Sequence, residues 1–133
     1  MKITYAIEPD VTVEEVSAVF TSSGIRRPVD DPERIAKMLR HADLIICARA
    51  EKRLIGVARS LTDFCYCCYL SDLAVAREFQ KLGIGKELIR RTQQLIGPQS
   101  MLLLLEAPSA RDYYGHVGFT KMENAWMLDR RQA

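Results

Sequence analysis

The stretch that decides the fold is Ser71-Asp72-Leu73-Ala74-Val75-Ala76-Arg77-Glu78-Phe79-Gln80-Lys81-Leu82-Gly83-Ile84-Gly85-Lys86-Glu87-Leu88-Ile89-Arg90-Arg91-Thr92. An apolar run ends at Ala76, and a short polar turn follows. From Gln80 onward the spacing becomes helical: Leu82, Gly85, Ile89 and Thr92-Leu95 recur at three and four residues, while Lys86, Arg90 and Arg91 point elsewhere. The order is strand, turn, glycine loop, helix. The first N–H groups of a helix have no intrahelical acceptor, and the helix dipole makes that end positive. Gly83 and Gly85 carry no Cβ to hold a ligand away from the backbone. Residues Gln80, Lys81, Leu82, Gly83, Ile84, Gly85 and Lys86 are therefore expected to turn N–H groups toward a phosphate or pyrophosphate. Two common phosphate motifs fail on spacing. A dinucleotide fingerprint needs a third glycine where Leu88 stands. A P-loop needs glycine at Gln80 and a hydroxyl residue after Lys86, where the chain has Glu87.

Working outward, 133 residues are the size of one domain, so residues 1–133 are read as a single unit. A net charge of +2 is too near neutral to argue for nucleic acid or an anionic membrane. No apolar run approaches the roughly 18 residues a membrane span needs, and Met1-Lys2-Ile3-Thr4-Tyr5 lacks the apolar block of a signal peptide. A cytoplasmic location is the default expectation. Cys65, Cys67 and Cys68 are spaced C-x-C-C, which matches no common zinc pattern, and adjacent strand residues face opposite sides. No metal site is expected. With Cys47, these residues read as reduced thiols buried in a sheet.

Residues 2–8 alternate like an opening strand. Thr12 with Glu15 forms a capping box before the stripe Val13, Val16, Val19 and Phe20, and Thr21-Ser22-Ser23-Gly24 ends that helix. Asp31-Pro32 opens a second helix, with Ile35, Met38 and Leu39 inward, ending near His41. Strands are expected at Leu44 to Ala50, Leu54 to Leu61 and Cys65 to Ala76, then a helix over 83–96 closed by Gly97-Pro98. Met101 to Glu106 is nearly all leucine and predicts a strand buried on both faces. Pro108-Ser109, with Asp112 as partner, predicts a short helix stopped at Gly115 or Gly118. Phe119 to Asn124 and Trp126 to Asp129 predict a final antiparallel pair.

Gln80-Lys81-Leu82-Gly83-Ile84-Gly85 after Leu73-Ala74-Val75 resembles motif A of the GCN5-related N-acetyltransferases, the GNAT superfamily. The order β-α-α-β-β-β-α-β-α-β-β is also that family's, so the resemblance covers nearly the whole chain. It implies an α+β (three-layer α/β) fold: a mixed, mostly antiparallel sheet with helices on both faces. It further implies that acetyl-CoA is the co-substrate, with its pyrophosphate on the glycine loop. The strand bearing Leu73, Ala74 and Val75 is expected to splay from its neighbour, leaving backbone groups for the pantetheine. Ala110 to Phe119 resembles motif B, with Tyr114 in the tyrosine column and Gly118-Phe119 closing it. In the family this tyrosine often protonates the departing CoA sulfur, while Tyr113 is expected to pack in the core. Where the family often has asparagine before this helix, the chain has Ala107.

The attacking amine must be neutral, so its proton needs an acceptor. Asp72, on the strand whose backbone would meet the acetyl group, ranks first, then Glu106; Ser71 is a weaker candidate for a water relay. His41 is expected to cap the C-terminus of the second helix, and His116 to lie on the surface. Arg26-Arg27 lies in the loop that walls the acceptor pocket in the resembling family; the pair either greets an acceptor carboxylate or is solvated. Arg90-Arg91 is expected to be a solvated face. The expected activity is direct acetyl transfer to a small-molecule amine in a ternary complex, with no nucleic-acid or membrane partner and a homodimer as one admissible assembly. The alternative is a non-catalytic acyl-CoA-binding sensor or assembly subunit.

Overall fold

The computed structural model describes residues 2–108 and 113–133. Five strands, β1 (Ile3–Ile7), β2 (Leu44–Ala50), β3 (Arg53–Thr62), β4 (Cys67–Val75) and β5 (Met101–Leu103), form one sheet in sequence order. The first four are antiparallel; β5 runs parallel to β4. The helices are α1 (Val13–Ser23), α2 (Pro32–Arg40), α3 (Ile84–Ile96) and α4 (Tyr113–His116), with a 3₁₀ turn at Arg77–Phe79 before α3.

The first two helices form where side chains specify their ends. Thr12 and Glu15 complete the expected capping box, and Gly24 at φ 86° closes α1 in the left-handed region that glycine enters without strain. Asp31 accepts from the Arg34 N–H at 3.2 Å, with Pro32 at the first helical position of α2. Two apolar clusters lie on opposite faces of the sheet. Val16, Val19 and Phe20 of α1 and Ile35 and Leu39 of α2 pack on Ile45, Cys47 and Val57. On the other face Ile84, Leu88, Ile89 and Ile96 of α3 pack on Leu44, Ile46, Ile55 and Leu70. The result is the three-layer α+β architecture expected from the element order.

The sheet carries a bulge that decides which way functional residues face. Arg59 pairs with Asp72, but Ser60 pairs with Leu70, so Ser71 is the extra residue on β4. The insertion shifts the alternation by one. Cys68 and Leu70 face α3, whereas beyond the bulge Asp72 is buried and Ala74 faces α1.

Four expectations are corrected. Leu82 and Leu95 are exposed; the buried face of α3 is Ile84, Leu88, Ile89, Thr92 and Ile96. Leu82 precedes the helix, so helical spacing does not govern it. β5 is three residues long rather than six, and Met101, Leu103 and Leu105 are exposed, because β5 has a hydrogen-bonded neighbour on one side only. No strand forms over 119–133: Phe119 packs on the core, but Met122, Trp126, Met127 and Leu128 stay exposed, so the segment beyond Phe119 buries no apolar face to offset its ordering. Cys47 and Cys68 are buried as expected, but Cys65 and Cys67 are exposed. Asp63 holds the turn before β4 by accepting the N–H groups of Cys65, Tyr66 and Cys67 at 3.0, 2.8 and 3.1 Å, which leaves Cys65 outside the sheet and Cys67 at its end. The expected Ser109–Asp112 cap and Ala110 lie outside the described residues.

Gly56 sets how closely α3 lies on the sheet. A Cβ there would stand 3.2 Å from methyl carbons of Ile84 and Leu88 and 3.3 Å from the Ala48 Cβ. Gly56→Val is expected to lift the first turn of α3 and destabilise the fold by about 1–3 kcal/mol, measured by urea unfolding. A midpoint unchanged from the parent protein would show that this packing is not tight.

Candidate active site

The site begins where two strands part. The β4–β5 ladder comprises three pairs, Cys67–Met101, Cys68–Leu102 and Tyr69–Leu103, and goes no further. β4 continues to Val75, paired on its other side with β3. Beyond Tyr69, Leu73, Ala74 and Val75 thus border a gap on their β5 side, as the splay requires. Asp72 and Ala74 are buried there, and Leu73 and Val75 half-buried.

At the end of β4 the chain turns through Arg77–Phe79 into the glycine loop. The Ser22 hydroxyl accepts the Arg77 N–H at 2.9 Å, and Gln80 Nε2 donates to the Val75 carbonyl at 3.0 Å. These bonds fold the loop back on the strand. Lys81 and Gly83 have φ of 67° and 83°, both left-handed. Glu87 N–H bonds the Gly83 carbonyl at 3.0 Å and starts the helical ladder. The backbone N–H groups from Lys81 to Lys86 donate to nothing among the described residues. Such a cluster at the positive end of a 13-residue helix suits an anion. The side chains of Lys81 and Lys86 are exposed beside it. This arrangement suits a pyrophosphate ligand: donors are present, and nothing lies within 4 Å of where a Cβ on Gly83 would stand.

Tyr113 also stands at this cup. A Cβ on Gly85 would lie 3.0 Å from the Tyr113 hydroxyl. Its ring meets Tyr114 edge-on, centroids 5.2 Å apart. The expectation that Tyr113 belongs to the core is corrected: it is exposed, with its hydroxyl over the helix start. Tyr114 is half-buried, and its ring packs edge-on to Phe119 at 5.5 Å. Its hydroxyl has no hydrogen-bond partner among the described residues. Burial, and then the charges of Tyr113 and Glu106, push the Tyr114 phenol above the ordinary value, against a lowering pull from Arg27. A phenol so placed stays protonated near neutrality and can donate.

Asp72 is fully buried between two guanidinium groups: one oxygen accepts from Arg27 Nε, the other from Arg59 Nε. Arg59 also reaches the Met38 carbonyl at 3.2 Å and the Ser71 hydroxyl at 3.1 Å. Arg27 reaches the Ser71 carbonyl at 2.8 Å and the Arg26 carbonyl at 2.6 Å. The two arginines thereby fasten the bulge and draw the α1–α2 loop onto β4. An incoming ammonium has no open path to Asp72, whose oxygens are both engaged. Glu106 is exposed just beyond β5. Ala107 is half-buried and offers no polar side chain. His41 and His116 are exposed. Arg90 and Arg91 pair with Glu87 at 2.7 Å each and hold its carboxyl down to about 2. Burial pushes the Cys47 thiol up to about 12, leaving it protonated. Among the described residues no three His, Cys, Asp or Glu side chains are placed to hold a metal ion, and no helix is long and apolar enough to cross a membrane.

Sequence reasoning missed Arg59, Gly56 and the place of Tyr113. Arg59 had one available signal: a charged residue inside an otherwise apolar strand, which needs a buried partner.

A single sheet between two helical layers, whose fourth and fifth strands part above an amide cup, is the architecture of an acyl-CoA-dependent transferase. The family model for the acetyltransferase (GNAT) domain matches residues 9–127, and the chain belongs to that family. It is accordingly an N-acetyltransferase, with acetyl-CoA as co-substrate. It is 26% identical over 121 residues to an uncharacterised N-acetyltransferase, ycf52, of Porphyra purpurea, covering 84% of this chain and 67% of that protein. To the chloroplastic GCN5-related N-acetyltransferase 1 of Arabidopsis thaliana it is 25% identical over 113 residues, 82% of this chain and 56% of that one. Among solved structures, a GNAT-family acetyltransferase of Streptococcus pneumoniae superposes with a TM-score of 0.77 at 21% identity, covering 98% of this chain and all of that one (100%). AAC(6')-Iy, solved with the bisubstrate analogue CoA-S-monomethyl-acetylneamine, gives 0.74 at 17%, covering 99% and 100%. At these identities the structural likeness is one of fold.

Proposed function

We propose that the protein transfers the acetyl group of acetyl-CoA to the amine of a small molecule by direct attack in a ternary complex. The observation that carries this reading is the run of N–H groups from Lys81 to Lys86, unpartnered among the described residues, beside the gap along Leu73 to Val75. The cup receives the pyrophosphate with Gln80 holding the loop, and Tyr113 adds a hydroxyl donor. The backbone of Leu73, Ala74 and Val75 receives the pantetheine amides. An N–H in that gap polarises the thioester carbonyl as its oxygen gains charge.

The amine nitrogen attacks the carbonyl carbon, the C–S bond breaks, and the sulfur leaves with the electron pair. Tyr114 supplies that sulfur with a proton. A thiolate's conjugate acid near about 8.5 and a phenol near about 10 are close enough for such transfer. The proton lost by the amine passes to Glu106 or to water. Asp72, the first candidate for that role from sequence, here serves by fixing Arg27 and Arg59. Aminoglycoside amines, the acceptors implied by the names of AAC(6')-Iy and of a soil-metagenome enzyme solved with sisomicin, support an amine acceptor in general terms.

Acetyl-CoA at about 100 times its dissociation constant is expected to stabilise the fold by roughly 2.7 kcal/mol. Gly85→Val should remove most of that gain, since its Cβ meets the Tyr113 hydroxyl at 3.0 Å and its methyl groups enter the cup. Thermal melting with and without acetyl-CoA measures both, and thiol release across a panel of amines measures transfer. No shift with acetyl-CoA overturns the reading of the cup. A shift without thiol release from any amine favours the non-catalytic alternative.

A further inference from the structure

We infer that the acceptor is an amine that also carries a carboxylate, and that Arg27 receives that carboxylate at the inner wall of the cleft. The inference rests on the acetyl-transfer reading above and narrows its substrate. A guanidinium has five N–H donors. In Arg27, Nε serves Asp72, Nη1 the Arg26 carbonyl and Nη2 the Ser71 carbonyl. One N–H on each terminal nitrogen finds no acceptor among the described residues, and a carboxylate offers two oxygens for such a pair. Three anchors hold the fork in place before any ligand arrives, so binding costs little side-chain ordering.

Charge points the same way. Arg27 and Arg59 share the single carboxylate of Asp72, which leaves the cluster one positive charge in excess. Arg59 and Asp72 are buried, while Arg27 keeps a quarter of its side chain exposed, so the excess is presented through Arg27. Its position is at the cleft: it bonds the carbonyl of Ser71, the bulge residue two places past the last β4–β5 pair. Its charge is also felt at the Tyr114 phenol, together with that of Glu106. Glu106 is exposed just beyond β5 and acts on the same phenol, so it suits the amine end of the same acceptor. A site that offers both a cation and a carboxylate matches an amino acid, and the Arg27 cation repels a polycation such as an aminoglycoside.

The test is thiol release from acetyl-CoA with matched acceptors: phenylalanine against phenethylamine, lysine against cadaverine, and kanamycin. The carboxylate-bearing member of each pair is expected to have a kcat/KM at least tenfold higher, and kanamycin the lowest value. Arg27→Gln should bring the ratios close to one, chiefly through KM, while acetyl-CoA still raises the melting temperature. Should Arg27→Gln fold poorly, Arg27→Lys keeps the charge without the fork and should lose most of the preference. Equal turnover within the pairs, or preference intact in the folded variants, overturns this inference and leaves acetyl transfer standing. No turnover of any amine, with the acetyl-CoA shift intact, overturns the transfer reading and this inference with it.

Discussion

Tyr114→Phe is expected to lower kcat about 100-fold, near the lower end of what a positioned proton donor supplies, with little change in the KM for acetyl-CoA. The substitution removes one oxygen and leaves the ring, whose edge-on contacts with Tyr113 and Phe119 hold α4 and the following turn. The hydroxyl has no partner among the described residues, so its loss breaks no structural bond there, and the melting temperature should stay within a degree or two. The pH profile gives a separate readout. Burial raises the Tyr114 phenol above its ordinary value of 10.0. The acid form is therefore fully present through neutral and mildly alkaline pH, and it is lost only as pH rises through the raised value. The parent enzyme should gain rate as the amine is deprotonated and lose it above pH 10; the phenylalanine variant should lack the falling limb. Stopped assays with a thiol reagent across that range measure both. A variant with unchanged kcat would remove Tyr114 from the chemistry and leave solvent to protonate the sulfur.

Much of the architecture could be read from residues alone, for reasons visible at particular positions. Thr12 with Glu15, Asp31 with Pro32, and Gly24 specify helix ends through local bonds, and local bonds are written in consecutive residues. The glycine loop was legible because its function is performed by backbone N–H groups, whose exposure follows from the helix start and not from distant contacts. The bulge at Ser71 was not legible. It depends on how β3 and β4 align, and it turns Asp72 away from the side that strict alternation would give it. The same misalignment hid the Arg27–Asp72–Arg59 cluster, whose members are 13 and 45 positions apart in sequence from Asp72. The leucine run at 101–106 misled because apolar composition reports what a strand could bury and not whether a neighbour exists to cover it. Trp126 and Leu128 carry the same lesson: strand propensity without an opposing face left them in solvent.

Asp72→Asn is expected to destabilise the protein by about 3–5 kcal/mol, the usual cost of removing one partner from a buried ion pair. The amide keeps the shape but not the charge, and it leaves Arg59, 8% exposed, facing Arg27 with no anion between them. Both arginines would then seek other partners, and the part-buried bond from Arg27 to the Ser71 carbonyl, its remaining tie to β4, would yield first. The α1–α2 loop would come away from β4 before the sheet itself opened. At about 4 °C per kcal/mol for a chain of this size, the melting temperature should fall by roughly 12–20 °C. The companion experiment replaces the pair together. Arg59→Leu with Asp72→Leu removes the desolvation cost along with the attraction, so the double variant should be more stable than the sum of its single changes predicts. The two possible roles of Asp72 separate cleanly in this series. A residue that only positions Arg27 gives variants whose lost activity follows lost stability and a raised acceptor KM. A residue that takes the amine's proton gives an Asp72→Asn protein that melts near the parent temperature, still binds acetyl-CoA, and has lost kcat. With both oxygens of Asp72 held by guanidinium groups and no route to solvent, the first pattern is the one to expect.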